Sequence, residues 1–229
     1  MSGPLLAIEC SQRRGGVALR DADGGVHVHR FDADARHGDV LLPAIDDVCS
    51  AAGVARGDLV GCGVSIGPGG FTGLRVSIAT ARSMAWSLGM PVYGVPSALV
   101  VAGSVETDDR TAVVGLSGKG TDAWLTGVRR DDGRWSIDRD GTLVDEAALG
   151  GWFDGQGLLL ADEHLPEGMR SAADAAGWII REPRWEPAAC LDLVAQRHDA
   201  GVADDVHGLL PIYPRVPEAV SLWEARKRG

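Results

Sequence analysis

The 229-residue chain carries 22 Lys and Arg against 32 Asp and Glu, a net charge of −10 with a pI near 5.0. That balance excludes a whole-surface electrostatic footprint for nucleic acid, so any such role needs a partner or a local patch. Apolar residues at 45% and charged residues at 24% exclude wholesale disorder, and the length suits one large domain or two small ones. Glycine, with 32 residues, stands at about twice its usual share and points to many turns joining short elements.

In chain order, apolar runs at 5–9, 16–19 and 26–31 predict three strands, with Asp23-Gly24 as the second turn. Residues 39–52 predict a helix with Leu41, Ile45, Val48 and Ala52 on one stripe and Gly53 as its stop; Pro43 requires the first turn. A strand at 59–66 leads into a glycine loop, then a helix at 72–88 whose inner stripe is Leu74, Ile78, Ala81, Ala85 and Leu88. A strand at 91–95 and a helix from Pro96-Ser97 towards Gly103 close this half. The order then repeats. Strands at 112–116, 124–129 and 135–138 precede a helix at 145–152, a strand at 158–161, a helix at 167–176, a strand at 178–181 and a helix at 187–197. Both halves read βββαβαβα, which predicts two similar α/β lobes, residues 1–106 and residues 107–229 with a C-terminal tail.

Cys10, Cys49, Cys62 and Cys190 stand far apart, without C-x-x-C or zinc-ligand spacing to a His, and read as buried residues of a reducing compartment. The N-terminus lacks the basic flank and long apolar run of a signal peptide. Residues 83–105 carry no charge, but Gly89, Pro91, Gly94 and Pro96 break them into short elements, so no membrane span is expected.

The duplicated order looks like that of the actin/Hsp70/sugar-kinase superfamily, with its ribonuclease H-like lobes. Within it, several segments resemble the bacterial TsaB (YeaZ) family. They are Leu6-Ala7-Ile8-Glu9-Cys10-Ser11, the helix start His37-Gly38-Asp39-Val40-Leu41-Leu42-Pro43, and Gly67-Pro68-Gly69-Gly70-Phe71-Thr72-Gly73-Leu74-Arg75. Ser77-Ile78-Ala79-Thr80-Ala81-Arg82 and Gly89-Met90-Pro91-Val92-Tyr93-Gly94-Val95 continue the match, and Leu210-Pro211-Ile212-Tyr213-Pro214-Arg215 resembles the family's C-terminal signature. The similarity is strong over the first hundred residues or so and the tail, and weak between, where the second lobe diverges. The resemblance implies a cytoplasmic, non-catalytic subunit that dimerises with TsaD through two helices of its first lobe. TsaD, with the small ATPase TsaE, transfers threonylcarbamoyl to the adenosine beside the anticodon of tRNA. This chain would meet tRNA only through the complex, and could homodimerise through the same helices.

Residue by residue, the loop at 67–73 lies between strand and helix, where backbone N–H groups could cradle phosphate. It is neither a Walker A nor a G-x-G-x-x-G, and a tight packing turn built from Gly67, Pro68, Gly69, Gly70 and Gly73 is the structural reading. Gly63-Val64-Ser65-Ile66-Gly67 is a literal G-x-S-x-G, but the helix starts too late for a nucleophile elbow, so a serine hydrolase is disfavoured. Kinases of the superfamily use an acid in the first strand and another in the second lobe. Here Glu9 stands at the first position, where the family usually has Asp, and Leu116-Ser117-Gly118-Lys119-Gly120 has no carboxylate at the second. No catalytic residue, cofactor or metal is therefore expected; His27 and His29 share a strand face that could ligate metal or simply face solvent. The alternative function is a small actin-fold ATP-dependent phosphotransferase. The outer face of the 72–88 helix, Thr72, Arg75, Ala79, Arg82, Ser83 and Trp86, with Leu42, Asp46 and Cys49 of the preceding helix, is the expected partner interface, since small residues permit close approach and Trp and Arg anchor it. Trp223-Glu224-Ala225-Arg226-Lys227-Arg228 is a small basic cluster, read as a solubilising tail or a tRNA contact.

Overall fold

The computed structural model describes residues 3–32, 36–117 and 120–214, together with Trp223. A meander opens it: β1 (Leu5–Glu9), β2 (Gly16–Arg20) and β3 (Val26–Arg30), antiparallel with Ile8 opposite Val17 and Leu19 opposite His27. Helix α1 (His37–Ala52) leads to β4 (Gly61–Gly67), parallel to β1, and α2 (Phe71–Leu88) leads to β5 (Val92–Pro96), parallel to β4. The sheet order is β3-β2-β1-β4-β5, so β1 is central and wholly buried. Its alternation sorts the core: Leu6, Ile8, Val17 and Leu19 face α1 and α2, while Leu5, Ala7 and Ala18 face the other side.

The second sheet repeats the plan. It contains β6 (Thr111–Ser117), β7 (Ala123–Asp131), β8 (Arg134–Val144), β9 (Leu158–Ala161) and β10 (Ile179–Arg181), ordered β10-β9-β6-β7-β8. Again a meander runs to one edge and two parallel strands to the other. The helix predicted at 145–152 is absent. A single 3-10 turn at Glu146–Ala148 stands there, and Gly150-Gly151, with Gly151 at φ 75°, ends the helical geometry. Trp152 and Phe153 instead turn into the second core against Trp178. The third strand, predicted over 135–138, runs on to Val144. Pro43 sits in the second turn of α1 rather than the first, because the helix begins at His37; its missing N–H forgoes a bond to the Asp39 carbonyl.

Three further helices pack on the sheets: α3 (Ser97–Gly103), α4 (Glu167–Ala175) and α5 (Pro187–Asp199). While α4 covers the second sheet with Met169 and Ala173, α3 and α5 are exchanged between the halves. Ala98, Val101 and Ala102 of α3 pack on Ala112, Val114, Val128 and Leu160 of the second sheet. Cys190, Leu191 and Val194 of α5 pack on Leu5, Ala7, Ala18, Tyr93 and Val95 of the first. The last of these three helices thus serves the first sheet. Gly63 in β4 makes this possible, because a Cβ there would overlap the Val194 side chain. Gly63→Ala is expected to cost about 1–3 kcal/mol of stability through overpacking, read as a lower urea midpoint. An unchanged midpoint would mean that α5 is not seated on β4.

Candidate protein-interaction face and the sealed acid beside it

The β1–β2 turn and the loop between β4 and α2 meet backbone to backbone. The Gly70 N–H donates to the Ser11 carbonyl at 2.7 Å, and Cβ atoms at Gly69 or Gly73 would overlap the carbonyl oxygens of Ser11 or Cys10. Gly67, at φ 100°, makes the sharp exit from β4. The Gly70 N–H is therefore spent on protein rather than offered to a phosphate. Ser65 is buried within β4, opposite Val95, and its Oγ accepts from the Cys10 N–H at 3.4 Å; no nucleophile elbow forms.

Beneath this contact lies Glu9, at 0% exposure. Its Oε1 accepts from the Ser11 N–H at 2.7 Å and the Ser11 hydroxyl at 2.6 Å, while Oε2 has no partner among the described residues. Burial raises the carboxyl above its ordinary range, against the opposing hydrogen bonds of Ser11 and the lesser pull of the nearby Ser65 hydroxyl. The thiols around it are held protonated by the same burial: Cys62 is pushed up to about 12, and Cys10 and Cys190 are raised further by the Glu9 charge. A cleft of about 1380 Å³ opens between the sheets, lined by Arg13, Arg14, Phe31, Asp162, Arg184 and Trp185 among others, and bridged by the Arg30–Glu186 pair at 2.8 Å. Glu9 does not line it. His27 and His29 go to separate carboxylates, Asp21 at 2.9 Å and Asp47 at 3.1 Å, and no cluster fit for a metal occurs among the described residues. Gly118 and Lys119 of the second-lobe stretch, and 224–228 of the basic cluster, lie outside the described residues.

On α2, Leu74, Ile78, Ala81 and Ala85 enter the core, and Thr72, Arg75, Ala79, Ser83 and Trp86 form an exposed stripe, with Trp86 at 75% exposure. Leu88, predicted for the inner stripe, is exposed, because the helix ends at once on Gly89 in the left-handed region. Arg82 is half-buried and donates to the His207 carbonyl at 3.3 Å. On α1, Leu42 is exposed at 57% and Asp46 pairs with Arg56 at 3.3 Å. Cys49 does not belong to this face: it is buried in the core cluster that α1 and α2 share with the sheet. Phe71, absent from the expected set, is exposed at the start of α2, with the Arg75 guanidinium 3.8 Å above its ring and the Tyr213 ring packed at 5.5 Å. An apolar residue next to the last loop glycine was the available signal for it.

The family model described as TsaD, tRNA N6-adenosine threonylcarbamoyltransferase, matches residues 18–134. The Mycobacterium tuberculosis protein Rv3421c is 33% identical over 195 residues, covering 84% of this chain and 82% of that protein. A longer Mycobacterium leprae relative, ML0378, is 33% identical over 197 residues, and this chain spans 51% of its length. The Bacillus subtilis tRNA threonylcarbamoyladenosine biosynthesis protein TsaB is 25% identical over 225 residues, 96% of this chain and 97% of that one. The solved structure of YeaZ from Pseudomonas aeruginosa matches with a TM-score of 0.74 at 19% identity, over 92% of this chain and 99% of that one, which shows the same fold.

Because the folded-state value of Glu9 lies above the unfolded one, the stabilisation of its neutral form is complete below the ordinary carboxylate range, around pH 4, and is lost as pH rises through the folded value. Glu9→Gln is therefore expected to raise the urea midpoint at pH 8, with the gain shrinking towards pH 4. An equal shift at both pH values would show that ionisation of this carboxyl is not the destabilising event.

Proposed function

The chain belongs to the TsaB (YeaZ) family, with its α/β, actin/sugar-kinase-like fold, and from that premise we propose that it serves tRNA threonylcarbamoyladenosine biosynthesis as a non-catalytic partner of TsaD. One observation carries the reading: α1 and α2 bury their inner faces completely and turn Leu42, Asp46, Thr72, Arg75, Ala79, Ser83 and Trp86 outward as one stripe. Small residues in its middle admit a facing helix, while Trp86 and Arg75 are side chains of the kind that anchor interfaces. Both helices fall within residues 18–134, the stretch matched by the TsaD-type model, so a TsaD partner has related elements to set against them. The halves 1–106 and 107–229 act as two lobes, with α3 and α5 exchanged between them, and TsaE and tRNA join through the complex. A second copy of the chain is the occupant of the same face when TsaD is absent. No described helix is long and apolar enough to cross a membrane, in keeping with a cytoplasmic subunit.

The non-catalytic part of the reading is supported by the sealed position of Glu9 and by thiols held neutral. The cleft between the sheets favours the second reading, an ATP-dependent phosphotransferase. Titration calorimetry of the isolated chain with Mg-ATP separates the two: silence is expected, and binding with turnover would favour the kinase. Ala79→Glu buries an unpaired charge at the centre of the proposed interface, at a cost of about 3–5 kcal/mol. TsaD binding should weaken about a hundredfold or more, with an unchanged circular dichroism spectrum and melting temperature. Undiminished co-purification of the variant with TsaD of the same organism would remove the face from consideration.

A further inference from the structure

After α5, the chain does not leave the molecule. Asp204 adds to the edge of β5: its N–H donates to the Val92 carbonyl at 2.9 Å, and its carboxylate accepts from the Gly94 N–H at 2.6 Å and from Arg197 at 3.1 Å. Leu209 is buried in the core shared with α1 and α2, and the His207 carbonyl accepts from Arg82 on the flank of α2. The Ile212 N–H then donates to the Ile66 carbonyl at 2.7 Å, at the end of β4. This strap delivers Tyr213 to the first turn of α2. There the Tyr213 hydroxyl accepts from Arg75 Nε at 3.1 Å and its ring packs, tilted by 34°, against Phe71, whose face lies 3.8 Å beneath the guanidinium. The C-terminal Leu-Pro-Ile-Tyr motif thus ends on the interaction face, although 138 residues separate Tyr213 from Arg75.

We infer that Tyr213 is a positioning residue for the docking face, clamping Arg75 over Phe71 so that the guanidinium is presented to a carboxylate of the partner. This rests on the reading of α1 and α2 as the TsaD-binding face. An exposed arginine ordinarily loses its rotamer freedom when a partner docks. Here two contacts have already fixed the side chain, so the loss is incurred on folding instead. The terminal nitrogens of Arg75 have no partner among the described residues, and a guanidinium held by Nε alone retains the donors for a carboxylate. Charge points to the same ligand: Asp46 is paired with Arg56, and Arg82 is half-buried with its guanidinium turned to the His207 carbonyl, which leaves Arg75 as the exposed cation of the stripe without an acidic partner among the described residues.

The test is calorimetric titration of TsaD with the full chain and with the Tyr213→Ala, Tyr213→Phe, Arg75→Ala and Tyr213→Ala/Arg75→Ala variants. Tyr213→Ala is expected to weaken binding about tenfold, and Tyr213→Phe, which keeps the ring contact and loses the hydroxyl acceptor, about threefold. The double variant should be no more than about twofold weaker than Arg75→Ala, because Tyr213 acts through Arg75. Binding by Tyr213→Ala within twofold of the parent chain would overturn the inference, as would losses that multiply in the double variant. If instead Ala79→Glu binds like the parent chain, the docking face itself fails and this inference falls with it; if Ala79→Glu abolishes binding while Tyr213→Ala does not, only the clamp is removed.

Discussion

The arrangement around the first sheet depends on one close approach, the packing of the Gly69–Gly73 backbone onto the carbonyls of Cys10 and Ser11. No side chain fits between these two turns, so the start of α2 is held against the end of β1 at bare backbone distance. That contact fixes the rotation of α2 about its own axis. Once Gly73 faces Cys10, Leu74, Ile78, Ala81 and Ala85 must enter the core, and Thr72, Arg75, Ala79, Ser83 and Trp86 must leave it. The same turn closes the chemistry of the first strand, since Ser11 gives its carbonyl to Gly70 and both its donors to Glu9. One local arrangement thus presents a helix face and withdraws a carboxyl from the cleft.

The exchange of α3 and α5 couples the two sheets by the hydrophobic effect. Each helix sits on the sheet of the opposite half, and Val100 of α3 joins the α5 cluster while its neighbours Val101 and Ala102 join the second sheet. Separating the sheets would expose both clusters, at roughly 25 cal/mol for each Å² of apolar surface returned to water. The cleft between the sheets reaches the start of α5 at Pro187, is lined by many charged side chains and bridged by Arg30 and Glu186, and shares no lining residue with the α1–α2 face.

How much of this was legible in the sequence follows from how local each feature is. Periodicity and glycine stops located α2 and the parallel strand pair to within a few residues, because those signals are set by neighbours in the chain. The outward stripe of α2 was legible for the same reason, being the complement of its core stripe. The absent helix at 145–152 failed on a competition: its apolar positions suited a helix, but Trp152 and Phe153 were drawn into the second core beyond a glycine pair. Cys49 stands about 70° from the centre of the expected stripe of Leu41, Ile45, Val48 and Ala52, on its edge, and the packing of α1 beside α2 decides that it is buried. Contacts such as Arg82 with His207 and Arg75 with Tyr213 join residues more than a hundred positions apart, where periodicity carries no information.

Composition then bears on which occupant the face prefers. A charge of −10 makes two copies of this chain repel as they approach, and the repulsion acts within about 8 Å at physiological salt, the range over which two docked helices bring their flanks together. The stripe itself contributes little to that repulsion, since its one acid is paired with Arg56, and the charge presented at the Phe71 end is a guanidinium. Self-association must therefore overcome a penalty from the rest of the surface, and a two-fold contact supplies an acid to Arg75 only if this chain's own face carries one at the symmetry-related position. A partner with an acid opposite Arg75 meets that condition, and one of less negative net charge avoids the penalty. On the proposed reading of the α1–α2 face, an acidic surface of this kind disfavours pairing of two copies relative to pairing with a less acidic protein.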